Sequence, residues 1–252
     1  MSEFRPCFVI PVYNHEAAIG QVLLQLQPFG LPCLLVDDGS NEGCRATLEA
    51  LAAEHPDWVR LRRHAQNQGK GGAVMTGLCW AYADGYSHAV QIDADGQHDT
   101  REIPQLLSLA EAEPAALVSG YPVYDESVPR GRLYARYLTH VWIWINTLSF
   151  TIRDSMCGFR VYPLASSVAL LERQRLGRRM DFDPEIMVRM YWAGVTIRQL
   201  PTPVHYPLDG VSHFLVWRDN ALISRMHARL FCGMLLRSPV LLWRNLRRWC
   251  RK

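Results

Sequence analysis

The chain has 252 residues, 49% of them hydrophobic and 20% charged, a composition that excludes disordered, fibrous and membrane-embedded classes. Its net charge of +3 is unevenly placed: residues 214–252 carry eight Arg and one Lys against Asp219 alone, leaving 18 basic and 23 acidic residues in 1–213. Seven cysteines without a CxxC pair exclude a disulfide framework, and "EFRPCFVIPVYN" has too short an apolar run for a signal peptide, so free thiols in a reducing compartment are expected.

Short apolar runs at 7–12, 33–38, 59–63, 89–93 and 116–120 read as strands, with helical segments at 16–27, 44–54, 70–83 and 102–112 between them. This alternation predicts a mostly parallel sheet with helices on both faces and a ligand beyond the carboxyl ends of its strands. Polar residues gather there: Tyr13 and Asn14 after the first strand, Asp37 to Ser40 after the second, and Asp93 to Asp99 after the fourth. "NQGKGGAV" is neither a P-loop, since Gly71 follows Lys70, nor a Rossmann fingerprint, since Val74 ends it. It reads as a tight entry into a helix, with Lys70 near phosphates.

Further on, 132–150 reads as a long aromatic helix whose uncharged part is too short to span a bilayer. "DSMCGFRVYP" follows as loop and strand, "DFDPEIMVRMYWAG" as a helix closed by Gly194, and "VTIRQLPTPVHYP" as a strand. The tail reads as two amphipathic helices: 218–237, with Leu222, Met226, Leu230 and Met234 on one face, and a second started by Ser238-Pro239. Arg and Trp in the second suit an anionic membrane surface; a packed helix with a solvated basic face is the alternative.

The chemistry concentrates in "DADGQHD". Asp93, Asp95 and Asp99 repel one another unless water or a cation intervenes. Oxygen donors of this kind suit Mg²⁺ or Mn²⁺ sharing phosphate oxygens. No thiolate stands near for zinc, and no Glu sits at EF-hand spacing.

"VIPVYN", "VDDGS", "NQGKGGAV", "DADGQHD", "DSMCGFR" and "FDPEI" occur in one order across residues 6–210. The chain thereby resembles family 2 glycosyltransferases, most of all the branch of polyprenyl-phosphate sugar synthases such as dolichyl-phosphate mannosyltransferase. The resemblance implies a GT-A fold, a nucleotide-sugar donor, a divalent metal and a lipid or lipid-linked acceptor. It places Pro11, Tyr13, Glu16, Val36, Asp38 and Lys70 at the nucleotide sugar, and Asp93, Ala94, Asp95 and Gln97 around the metal and diphosphate, with Asp93, Asp95 and Gln97 as metal ligands. Arg132, Arg136 and His140 fall at the acceptor or phosphate. Tyr121 stands where the family has an arginine, a charge that Arg130 or Arg132 could supply.

Asp95, Asp154, Arg160 and Glu185 are the catalytic candidates. The metal would act as a Lewis acid and Arg160 as fixed charge, while Asp154, ahead of Asp181, Asp183 and Glu185, would serve as base for a hydroxyl acceptor. The expected organisation is a catalytic domain over 1–213, with a donor half at 1–120 and an acceptor half at 121–213, and a basic tail over 214–252. A cytoplasmic protein peripheral to the inner face of the membrane follows. Two rivals are a nucleotidyltransferase, for which "VYNHEAAIG" lacks a triphosphate loop, and a non-enzymatic membrane adaptor, which leaves 93–99 unexplained. The acidic body disfavours nucleic acid.

Overall fold

The computed structural model describes residues 3–123, 130–203 and 215–249. Its strands are β1 (Pro6–Val12), β2 (Cys33–Asp37), β3 (Val59–Arg63), β4 (His88–Gln91), β5 (Leu117–Val123), β6 (Arg160–Pro163) and β7 (Ile197–Pro203). They form one sheet in the order β3-β2-β1-β4-β6-β5-β7, parallel throughout except that β6 runs antiparallel to both neighbours. β6 therefore sits between β4 and β5, so strands from either side of residue 120 interleave in one sheet.

The helices are α1 (Glu16–Leu26), α2 (Glu42–Glu54), α3 (Lys70–Ala83), α4 (Ile103–Ala112), α5 (Arg130–Thr147), α6 (Leu164–Arg173), α7 (Phe182–Trp192) and α8 (Val216–Trp249). β1 and β2 are apolar without alternation because both their faces are covered. Cys7, Val9, Leu34 and Val36 enter one core with residues of α3, α7 and α8, while Phe8, Ile10, Cys33 and Leu35 enter the other with residues of α1, α2 and α4. Gly77 lets α3 lie on β1, since a β-carbon there would stand 2.3 Å from Val9 Cγ1.

Two expectations are corrected. β4 ends at Gln91 rather than at 93, so Asp93 and Asp95 both lie beyond the strand. The tail is one 34-residue helix that runs through Pro239. Proline removes the donor that Leu235 O would have received, and the Ser238 hydroxyl donates to that carbonyl at 2.9 Å instead. The inner stripe of α8, Met226, Leu230, Met234 and Leu241, is buried in the core. Glu185 and Arg229 join α7 to α8 at 2.8 Å, and the Asn245 amide donates to Leu148 O at 2.8 Å.

Candidate active site

The end of β2 is a brace. Asp38 is 2% exposed, and its oxygens accept from the backbone N–H groups of Gln68 and Gly69, each at 2.8 Å, with His64 Nδ1 also at 2.8 Å. It shapes the loop that delivers Lys70. The side chains of Val36 and Ala94 are likewise core, 0% and 2% exposed, and only their backbone can face a ligand. Pro11 is buried on β1, Tyr13 is half-buried just past it and Glu16 is exposed in the first turn of α1. Asn14 holds the left-handed region at φ 54° and accepts from Asn41 N at 2.8 Å, tying the β1 loop to the β2 loop instead of capping α1.

At the end of β4 the carboxylate repulsion has an internal answer. Lys70 Nζ stands 2.8 Å from Asp93 and 3.3 Å from Asp183 Oδ2. Burial alone would raise the Asp93 carboxyl, but Lys70 and His98 outweigh it and hold the group well below the usual carboxylate range. Burial likewise pulls Lys70 down, and Asp183 and Asp93 more than restore it, so the amine stays charged. His98 stacks on Phe159 with centroids 5.2 Å apart. Asp95 lies two residues further, half-buried, its Oδ1 accepting from Gln97 N at 3.0 Å. No described group of three or more His, Cys, Asp or Glu side chains is assembled to hold a metal. The set therefore fits a hard cation held by one or two carboxylates and by the phosphate oxygens of a ligand, not an all-protein cage.

Gly158 faces this pair: a β-carbon there would lie 2.8 Å from both Asp93 Oδ2 and Lys70 Nζ. Gly158→Ala is expected to push the pair apart, lowering kcat roughly tenfold or more while costing about 1–3 kcal/mol of stability. Steady-state kinetics beside a thermal melt check this, and an unchanged kcat would contradict it.

The loop before β6 carries a second cluster. Asp154, 2% exposed, accepts from Arg136 Nη2 at 2.8 Å and Nε at 2.5 Å, and from the backbone N–H groups of Met156 and Cys157 at 2.9 and 2.8 Å, with His140 Nε2 2.9 Å away. Burial would raise its carboxyl, but the His140 hydrogen bond and the Arg136 charge win and hold it well below the usual range. The carboxylate clamps the Arg136 guanidinium and the His140 ring of α5. Arg153, unremarked in the sequence, donates from Nη1 to Tyr121 Oη at 2.8 Å and lies 5.2 Å over that ring. It brings positive charge to the position where Arg130 or Arg132 was expected to act; the side chains of those two lie outside the described residues.

Two further catalytic candidates are scaffold. Arg160 is 0% exposed and donates to the carbonyls of Cys157, Asp183 and Ser155 at 2.8, 2.8 and 2.6 Å. Glu185, also 0% exposed, accepts from Gly177 N, Arg189 and Arg229. Both side chains are enclosed by these partners. Asp181, buried near the start of α7, has its carboxyl raised mainly by burial, and Gly177 lies against it.

Residues 7–176 match the family model described as Glycosyl transferase family 2. An uncharacterized protein of Methanocaldococcus jannaschii is 29% identical over 211 residues, covering 81% of this chain and 90% of that protein. Polyprenol monophosphomannose synthase of Mycolicibacterium smegmatis is 29% identical over 63% of this chain and 61% of its own length, and undecaprenyl-phosphate mannosyltransferase of Micrococcus luteus is 30% identical over 63% and 66%. Among solved structures, glucosyl-3-phosphoglycerate synthase of Mycobacterium tuberculosis, in complex with Mn²⁺, UDP-glucose and phosphoglyceric acid, superposes with a TM-score of 0.68 over 92% of this chain and 80% of that one, at 16% identity. That likeness establishes a shared GT-A fold.

Proposed function

The chain belongs to glycosyl transferase family 2, and from that premise we propose that it is an inverting enzyme moving a sugar from a nucleotide-diphosphate donor to a lipid phosphate at a membrane surface. The clamp on Asp154 is the observation that carries this reading. A hydroxyl acceptor needs a base, whereas the carboxylate nearest Arg136 and His140 is fully engaged and held ionised. An arginine and a histidine around a spent carboxylate suit an acceptor that is already an anion, as a phosphate monoester is above its second pKa of about 6. The names of the mycobacterial and Micrococcus relatives point to the same acceptor class.

In this reading the donor lies along the strand ends from Tyr13 to Asp95. A bound Mg²⁺ or Mn²⁺ would supply Lewis-acid stabilisation of the leaving diphosphate, with Asp95 as its main protein ligand and Asp93 and Gln97 beside it. Lys70 keeps Asp93 ionised and in place at that end. Arg136 and His140 orient the acceptor phosphate. One of its oxygens forms the bond to the anomeric carbon from the face opposite the donor diphosphate. The old carbon–oxygen bond breaks, its electron pair leaves with the nucleoside diphosphate, and no proton need be removed. Radiolabelled nucleotide sugars, offered with polyprenyl phosphate or with the parent polyprenol, test this. Label should enter the lipid phase with the phosphate and divalent metal only; equal labelling of the alcohol would overturn the reading.

The outer side of α8 supports placement on an anionic surface. Leu236, Leu242, Trp243 and Leu246 are 84%, 57%, 56% and 62% exposed, with Arg237 and Arg247 among them. No described helix is long and apolar enough to cross a membrane. Because Leu241 and Asn245 pack on the body, substitution tests the surface better than deletion. Leu242→Ser with Trp243→Ser and Leu246→Ser is expected to abolish flotation with anionic vesicles. Wild-type binding should weaken between about 0.1 M and about 1 M salt, and flotation by the triple variant would contradict this.

A further inference from the structure

Beside the Asp154 clamp, α5 and the following loop expose a line of aromatic rings that packing does not require. Tyr137 and Phe150 are 60% and 81% exposed. Trp144 stands between them, edge-on to both, with centroids 6.1 Å from Tyr137 and 5.3 Å from Phe150. Its indole N–H donates to Ile152 O at 2.8 Å, two residues before Asp154, so the middle ring is fixed to the loop that holds the clamp. His140 and Trp144 are one helical turn apart, and Tyr137 follows Arg136 directly. Arg136 and His140 thus lie beside an aromatic line that starts on α5 and ends in the loop after it.

We propose that this line seats the first isoprene units of the acceptor's chain while its phosphate rests on Arg136 and His140. The inference rests on the lipid-phosphate reading above and adds the residues that select for the chain. An amphiphile with an anionic head and an unsaturated apolar tail is complementary to both features at once. A soluble phosphorylated acceptor would use the cations and leave about two exposed rings unexplained. Tyr and Phe provide apolar contact at low conformational cost, and their polarised faces favour carbon–hydrogen edges. The bilayer is the competing occupant. It would cover the rings without regard to what binds at Arg136.

The test reads binding directly, so it yields a result whether or not sugar is transferred. The full-length wild type and the double variant Tyr137→Ser with Phe150→Ser are titrated in detergent micelles with a long-chain polyprenyl phosphate and with a short isoprenyl phosphate. Both substituted side chains are exposed, so the fold is spared, and a thermal melt verifies that. Wild type should prefer the long chain, and the variant should lose that preference by roughly tenfold. An unchanged preference overturns the inference. So does the pattern in which the variant fails only to float with vesicles, which assigns the rings to the bilayer. Retained long-chain preference in wild type without any lipid labelling would instead sink the transfer reading and leave this site standing.

Discussion

Asp95→Asn is expected to abolish sugar transfer and leave the fold intact. Asp95 is half-buried and, among the described residues, its carboxylate accepts only from Gln97 N in a local turn, so losing its charge is expected to cost little stability. Its expected task is to hold the ion that stabilises the departing diphosphate, a contribution of several kcal/mol, and kcat should fall by roughly 10³-fold or more. Nucleoside diphosphate binding should become insensitive to Mn²⁺, which a thermal-shift titration with and without the metal reads. Asp93→Asn is expected to differ in kind. It strips Lys70 of one of its two carboxylates, so stability drops together with activity. Near-normal turnover by Asp95→Asn would remove the carboxylate from the reaction.

Asp154→Asn is expected to raise the acceptor KM far more than the donor KM. The carboxylate orients Arg136 and His140, and misplacing such groups by about 1 Å can cost roughly 10²-fold. If Asp154 were a base instead, kcat would fall while acceptor KM held, so the split between the two parameters separates the roles. The substitution also removes one partner of a buried ion pair, which costs about 3–5 kcal/mol. The pH dependence has a definite sign. Its folded pKa lies below the unfolded value near ~3.9, so its stabilisation is fully present above that value. It is lost as pH falls through the folded pKa. Acid unfolding of Asp154→Asn should therefore be less steep below about pH 4 than that of wild type. Identical acid limbs would mean that the clamp contributes nothing.

What the sequence made legible follows from local rules. β1 and β2 were readable because double-sided burial demands unbroken apolar runs, and the site edge because polar clusters follow strands of a parallel sheet. The four-residue β6 was readable as a strand after its loop, but only its pairing with β4 and β5 reveals its antiparallel direction. Ser238-Pro239 looked like a helix start because local chemistry cannot show that the serine hydroxyl substitutes for the missing donor. The charged candidates divided for the same reason. Arg160 and Glu185 sit in motif positions, yet long-range partners bury both. Lys70 as the counter-charge of Asp93 lies 23 residues away in sequence, beyond any spacing argument. That α5 brings Arg136 and His140 to Asp154 is likewise a long-range pairing that no local pattern shows.

A crystal structure of the protein grown with Mn²⁺ and a nucleoside diphosphate tests the transfer site most directly. The ion should bind Asp95 and bridge to the diphosphate, with Lys70 still on Asp93 and Asp154 still closed on Arg136 and His140. A diphosphate seated elsewhere, or Asp95 facing solvent with no ion beside it, would contradict the account.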